Sequence, residues 1–216
     1  MAADIQQRAR TPQQKALRRR EILQAADAHF AAVGFEAFSM ATIGRQARVA
    51  KGTLYLYFET REELLLELFL GKFRHWQAAL IDAAAACEGD RAFATVFYES
   101  ACQDPAFLQL SSRLDSVIEH NVSLATLIAA KRTMAAVIRD MTQALAVRLE
   151  LSTVQALDAI TSLMALLLGV SQMDAGPQLA NQNLPEDVRQ LISAFSPQEQ
   201  FTGNACRILS GIRAGT

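Results

Sequence analysis

The sequence predicts an all-α protein: an N-terminal helix-turn-helix domain of three helices, residues 1–70, followed by a C-terminal helical bundle, residues 71–216. Three observations carry this reading. Apolar residues recur at spacings of three and four through most of the chain, the period of one helix face. Ser, Thr and Asp stand just ahead of those runs, where helix N-caps belong, and no stretch alternates as a strand does. The run SMATIGRQARVAKGTLYLYF, Ser39–Phe58, reads as two short helices joined by a tight turn.

Residues 1–11 are polar and read as a mobile terminus. Thr11-Pro12 opens the first helix, with proline at the first helical position. Its stripe is Ile22, Leu23, Ala26, Phe30 and Val33, and Gly34 stops it. Lys15, Arg18, Arg19 and Arg20 read either as a solvated face or, for some of them, as phosphate contacts. Ser39 caps the second helix, with Met40, Ile43 and Ala47 on its inner face and Val49 dropping into the core. The third helix is expected from Lys51 to Phe58. Leu54 and Phe58, four apart, share an inward face, while Lys51 and Tyr55 share another. A cation, a phenol and the Thr53 hydroxyl make a surface suited to phosphates and base edges. Ala50 is a poor N-cap and leaves backbone N–H groups to which phosphate could bind.

Thr60-Arg61-Glu62-Glu63 is a capping box for a fourth helix running to about Ala86 along Leu65, Phe69, Phe73, Trp76 and Leu80. That helix is the expected lever between the domains. Asp90 is expected to cap a helix to about Cys102, and Asp104-Pro105 to start one to about His120. Ser123 caps a long helix to about Glu150, and Ser152 the next, to about Met173. Residues 174–195 read as a loop with a short helix at 186–194, and Ser196-Pro197-x-Glu199 opens a last helix to about Ile212.

Composition bounds the partners. Hydrophobic residues are 51% of 216, enough for a sizeable core. The net charge of −1 averages two halves: residues 1–75 carry 12 Lys+Arg against 8 Asp+Glu, the remainder 9 against 14. A basic front and acidic back suit contact with phosphate at one end. Cys87, Cys102 and Cys206 are odd in number and widely spaced, so neither a disulfide framework nor a metal motif is implied. No signal peptide is read at the N-terminus, and the apolar run Leu163–Val170 is too short to cross a bilayer. The expectation is a soluble, cytoplasmic protein with no membrane partner.

The residues Ala47-Arg48-Val49, Ala50-Lys51-Gly52-Thr53-Leu54-Tyr55-Leu56-Tyr57-Phe58 and Arg61-Glu62-Glu63-Leu64 resemble the DNA-binding domain of the tetracycline-repressor (TetR) family, over roughly residues 15–70. The resemblance implies base or phosphate contact by Lys51, Gly52, Thr53 and Tyr55, and backbone contact by Ser39, Tyr57 and Arg61. Three positions depart from the family pattern. Arg48 stands in place of a glycine at a turn that tends to be left-handed, so that either Arg48 reaches phosphate or the turn differs slightly from the family's. Ala50 replaces a hydroxyl residue, and Leu56 a polar one.

Catalysis has little support: His29, His75 and His120 are scattered, and no nucleophile, phosphate-loop or metal motif is present. No cofactor is implied. For the bundle, the resemblance implies a small-molecule effector site and a dimer interface. Phe97, Leu114, Ile118, Met134, Ile138 and Met164, with Phe107 and Met141, read either as lining for an apolar or aromatic effector or as ordinary core. The block containing Leu163 and Leu167 is apolar all round and needs cover. Paired with Phe201, Ala205, Ile208, Leu209 and Ile212 of the last helix, it is expected to form a homodimer contact. The whole reads as a ligand-responsive regulator, a repressor by expectation, on a palindromic double-stranded DNA operator.

Overall fold

The computed structural model describes residues 11–173, 184–193 and 195–215. Helix α1 spans Pro12–Val33, α2 Met40–Gln46, α3 Lys51–Tyr55 and α4 Arg61–Ala84. The bundle continues with α5 Gly89–Cys102, α6 Pro105–Ser111, α7 Leu124–Leu149, α8 Thr153–Met173, α9 Glu186–Ser193 and α10 Pro197–Ala214. No strand occurs among the described residues. The expectations for residues 1–10 and for the loop at 174–183 lie outside them.

The caps fall largely where the residue types direct. Thr11 accepts from Gln14 N–H, and the Gln14 side chain returns to the Thr11 N–H. Thr60 accepts from Glu63 N–H at 3.0 Å, but Glu63 reaches back one residue further, to the N–H of Glu59. Ser123 and Ser196 cap α7 and α10. Asp90 is not a cap as expected: Glu88 holds that position, and the Asp90 carboxylate pairs bidentately with Arg213 of α10 at 2.6 and 2.8 Å. The helix expected from Asp104 to His120 is also corrected. It breaks after Ser111, giving a π-helical turn at Leu114–Ile118 and a 3-10 turn at Glu119–Asn121. Ser111 and Ser112 donate to the carbonyls of Phe107 and Gln109, competing with the helical backbone bonds.

α4 is the spine. Leu64, Leu65, Leu68, Phe69, Phe73, Trp76 and Leu80 are all buried along it, because α1 lies on one side and α5, α6 and α7 on the others. Trp76 stacks on Phe107 and meets Phe97 edge-on at 5.1 Å, while Phe97 stacks on Phe201. Polar ties then fix the N-terminal helices on the bundle. Lys72 of α4 joins Asp27 of α1 at 2.6 Å and Asp104, the α6 cap, at 2.8 Å. Phe35, in the loop after α1, lies between two guanidinium groups, Arg61 at 4.7 Å and Arg113 at 4.9 Å from its ring centre.

The expected dimer residues divide. Leu163, Leu167, Phe201, Ala205 and Leu209 are wholly or almost wholly buried inside the protomer, where α8 packs on α10 and α10 on α5. They were expected at a dimer contact; the block Leu163–Val170, apolar all round, carries no sign of which side its own bundle takes. Ile208 and Ile212 are half-buried and reach the surface. Val33, expected in the α1 stripe, is exposed.

Candidate nucleic-acid interface

The exposed side of α3 is created by what its other side must do. Leu54 and Phe58 are fully buried, and the guanidinium of Arg19 covers the Phe58 ring at 4.8 Å. With that face committed to the core, Lys51, Gly52, Tyr55 and Leu56 are left exposed, while Thr53 and Tyr57 are half-buried. Tyr57 packs against the core. The helix is shorter than expected, ending at Tyr55. Leu56, Tyr57 and Phe58 nonetheless continue its turn, with the N–H groups of Tyr57 and Phe58 bonded to the Leu54 carbonyl at 3.0 and 3.1 Å.

The turn before α3 is held by backbone bonds, Arg48 N–H to Arg45 O and Val49 N–H to Gly44 O. Arg48 is exposed and has φ 53°, the left-handed conformation expected for the turn. Gly44 is a residue the sequence reading passed over. A Cβ there would meet the Val49 carbonyl at 3.3 Å and a Leu54 methyl at 3.7 Å, so α2 and α3 approach closely because this side chain is missing. A glycine inside a predicted helix beside a tight turn was the available signal. Gly52, by contrast, faces open space.

Ser39 is half-buried and makes no side-chain cap bond to α2. Its backbone N–H donates to His29 Nε2 at 3.2 Å, and the His29 ring stacks on Phe38. His29 is thereby a buried acceptor that fixes the start of α2. Arg61 faces inward: its guanidinium donates to the Phe35 carbonyl and lies over the Phe35 and Phe38 rings. Of the basic residues of α1, Arg18 pairs with Glu21 at 2.7 Å and Arg19 with Glu67 at 2.8 Å. The hydrogen bond to Glu67 raises the Arg19 pKa, and the same bond holds the Glu67 carboxyl below its ordinary range. Arg45, exposed on α2 and bonded to the Thr42 hydroxyl at 3.1 Å, adds a cation beside Arg48 that the sequence reading had not singled out.

In the bundle, Phe97 and Ile118 are fully buried, Met134 is buried, and Leu114, Ile138 and Met164 are half-buried, all within or against one continuous core. Leu114 and Ile118 lie in the π-helical turn. A separate groove of about 810 Å³ on the outer side of α8 and α10 is lined by Val154, Leu157, Ile208 and Ile212 with polar neighbours. No group of three or more His, Cys, Asp or Glu able to hold a metal occurs among the described residues.

Comparison with known proteins places this arrangement. Residues 22–68 match the family model described as bacterial regulatory proteins, tetR family, and residues 70–216 the model described as tetracyclin repressor-like, C-terminal domain. The uncharacterized HTH-type transcriptional regulator YhgD of Bacillus subtilis (strain 168) is 40% identical over 52 residues, 24% of this chain and 27% of YhgD, so the match spans about a quarter of that relative. A TetR transcriptional regulator from Rhodococcus sp. RHA1 shares the fold with TM-score 0.59 and 17% identity, covering 94% of this chain and 99% of the other. A putative TetR-family regulator from Mesorhizobium loti MAFF303099 does so with TM-score 0.57 and 19% identity, over 95% and 98%. The multidrug binding protein EbrR, solved with imidazole, is similar with TM-score 0.53 and 18% identity, over 82% and 93%. With both of its parts matched, the chain belongs to the TetR family of transcriptional regulators, and α2, the turn and α3 form its DNA-binding helix-turn-helix.

Proposed function

We propose that the protein is a ligand-responsive repressor, working in the cytoplasm, that binds a palindromic double-stranded operator as a homodimer and leaves it when a small apolar or aromatic effector enters the bundle. The observation that carries this is the division of α3, with Leu54 and Phe58 fully buried and Lys51, Gly52 and Tyr55 exposed. In this reading α3 lies in the major groove, with Lys51, Gly52, Thr53 and Tyr55 at base edges and adjacent phosphates. Ser39, Arg48 and Tyr57 hold the flanking backbone. Arg61 acts from behind by holding the Phe35 loop, its guanidinium being occupied there.

Five helical residues touch few base pairs, so useful specificity takes two half-sites and two protomers. We assign the dimer face to the groove at Val154, Leu157, Ile208 and Ile212. α8 is long and apolar enough to cross a membrane, yet only 33% of its most apolar stretch is buried within the protomer. A second copy covering this face accounts for the exposed Val154 and Leu157 without a bilayer. The effector belongs among Phe97, Leu114, Ile118, Met134, Ile138 and Met164. The break after α6 lies beside that group, and EbrR, a multidrug binding protein of the same fold, supports a small-molecule ligand. Ligand there moves α4, and with it the spacing of the two α3 helices. No catalytic step or cofactor belongs to this role.

Lys51→Ala combined with Tyr55→Ala tests the reading, since both side chains are exposed and the fold does not need them. Gel-shift of an operator selected from random duplex DNA should be lost while melting temperature and dimer mass stay put. Undiminished binding by the double variant would overturn the assignment.

A further inference from the structure

The outermost face of α3 carries no hydrogen-bonding side chain. Leu54 and Phe58 point into the core with 0% exposure. At roughly 100° per residue, the direction opposite both is shared by Gly52 and Leu56, one turn apart. Leu56 has φ −75° and ψ −18°, so it continues the helical turn, and its side chain is 83% exposed. Nothing lies within 4 Å of where a Gly52 Cβ would stand. Lys51 and Tyr55 flank this apolar ridge on one side and Thr53 on the other. The ridge is therefore continuous with the surface assigned above to the major groove, and cations and hydroxyls border it.

We propose that Leu56 is a specificity-determining residue that seats against the 5-methyl group of a thymine, one in each half-site, with Gly52 letting the bases come close to the helix backbone. The inference rests on α3 reading DNA. Thymine is the only base that presents an apolar group in the major groove, whereas guanine, adenine and cytosine present acceptors or donors there. Leucine can pair with none of those, so a polar edge set against Leu56 would lose its water without a replacement bond. The methyl pairing also explains why the most outward large side chain of the helix is one the protomer's own core does not use.

The experiment replaces each thymine of the selected operator in turn with deoxyuridine, which removes the methyl and nothing else. Burial of one methyl corresponds to about a fourfold change in affinity. Wild type should lose about fourfold per half-site at one symmetric pair of positions, and Leu56→Ala should lose that discrimination there while keeping the wild-type melting temperature. Leu56→Gln should bind the thymine and deoxyuridine duplexes equally, both more weakly than wild type binds thymine. If Leu56→Ala weakens thymine and deoxyuridine duplexes alike at every position, or no thymine methyl matters to wild type, the proposal falls while sequence-specific binding stands. Failure of any duplex to be selected, with binding indifferent to salt, would remove the DNA reading and this inference together.

Discussion

Replacing Arg48 by glycine should stabilise the fold and weaken DNA binding. Arg48 has φ 53° at the turn between α2 and α3, and its side chain is exposed. A non-glycine residue in the left-handed region costs roughly 1–2 kcal/mol. Glycine removes that strain but loses about 0.5–1 kcal/mol more conformational entropy on folding. The net expectation for Arg48→Gly is a gain of about 0.5–1 kcal/mol, or about 1–4 °C in melting temperature for a chain of this size. If the guanidinium neutralises one phosphate per protomer, its loss lowers the slope of log K against log salt by about 1.8 for a dimer. Arg48→Ala separates the two effects, because alanine keeps the left-handed strain and loses the charge. It should melt with wild type and share the reduced slope. Thermal melting by circular dichroism and filter binding across a salt series read both quantities. Arg48→Gly melting below wild type would refute the strain argument, and an unchanged slope would remove Arg48 from the interface.

The two glycines of the helix-turn-helix should respond oppositely. Gly44→Ala forces a Cβ to 3.3 Å from the Val49 carbonyl and should cost about 1–3 kcal/mol in denaturant melts. Gly52→Ala meets nothing, so it should hold or gain up to about 1 kcal/mol through helix propensity while reducing operator affinity. Leu54→Ala empties a fully buried site and should cost about 2–5 kcal/mol by the same measurement. The Glu67 carboxyl is held below its ordinary pKa chiefly by the hydrogen bond from Arg19, so its stabilisation is present above about pH 4.3 and is lost as pH falls through the folded value. Glu67→Gln should flatten that acid limb and, the pair being partly exposed, cost less than about 1 kcal/mol at neutral pH. Burial alone would lower the Lys72 pKa, but its bonds to Asp104 and Asp27 outweigh this and raise it. Its contribution is therefore complete below about pH 10.4 and lost as pH rises through the folded value, so Lys72→Met should flatten the alkaline limb of a stability–pH curve.

What the sequence revealed was set within a helical turn. Leu54 and Phe58 share a face because four residues make about one turn, and that spacing alone placed α3 with one side inward. Thr11, Thr60, Ser123 and Ser196 marked helix starts because their hydroxyls can reach an N–H two or three residues on. The left-handed Arg48 was legible through the family resemblance, which sets a glycine at that turn. What stayed hidden depended on partners far along the chain. A cation at Arg61 has the same local sequence whether it reaches a phosphate or the carbonyl of Phe35. Leu163 carries no sign that it faces the protomer's own core, because the block Leu163–Val170 is apolar all round. The break after α6 turned on where two serine hydroxyls bond, which hydrophobic periodicity does not record. The task of His29, holding the Ser39 N–H, required the fold.

The measurement that tests the account most directly is the salt dependence of binding to a selected palindromic duplex, set against a scrambled duplex of the same length. The account predicts two protomers per duplex, affinity for the palindrome at least about a thousandfold above the scrambled sequence, and a steep linear fall of log K with log salt. Equal affinity for both duplexes, or binding indifferent to salt, would contradict the claim that the exposed face of α3 reads DNA.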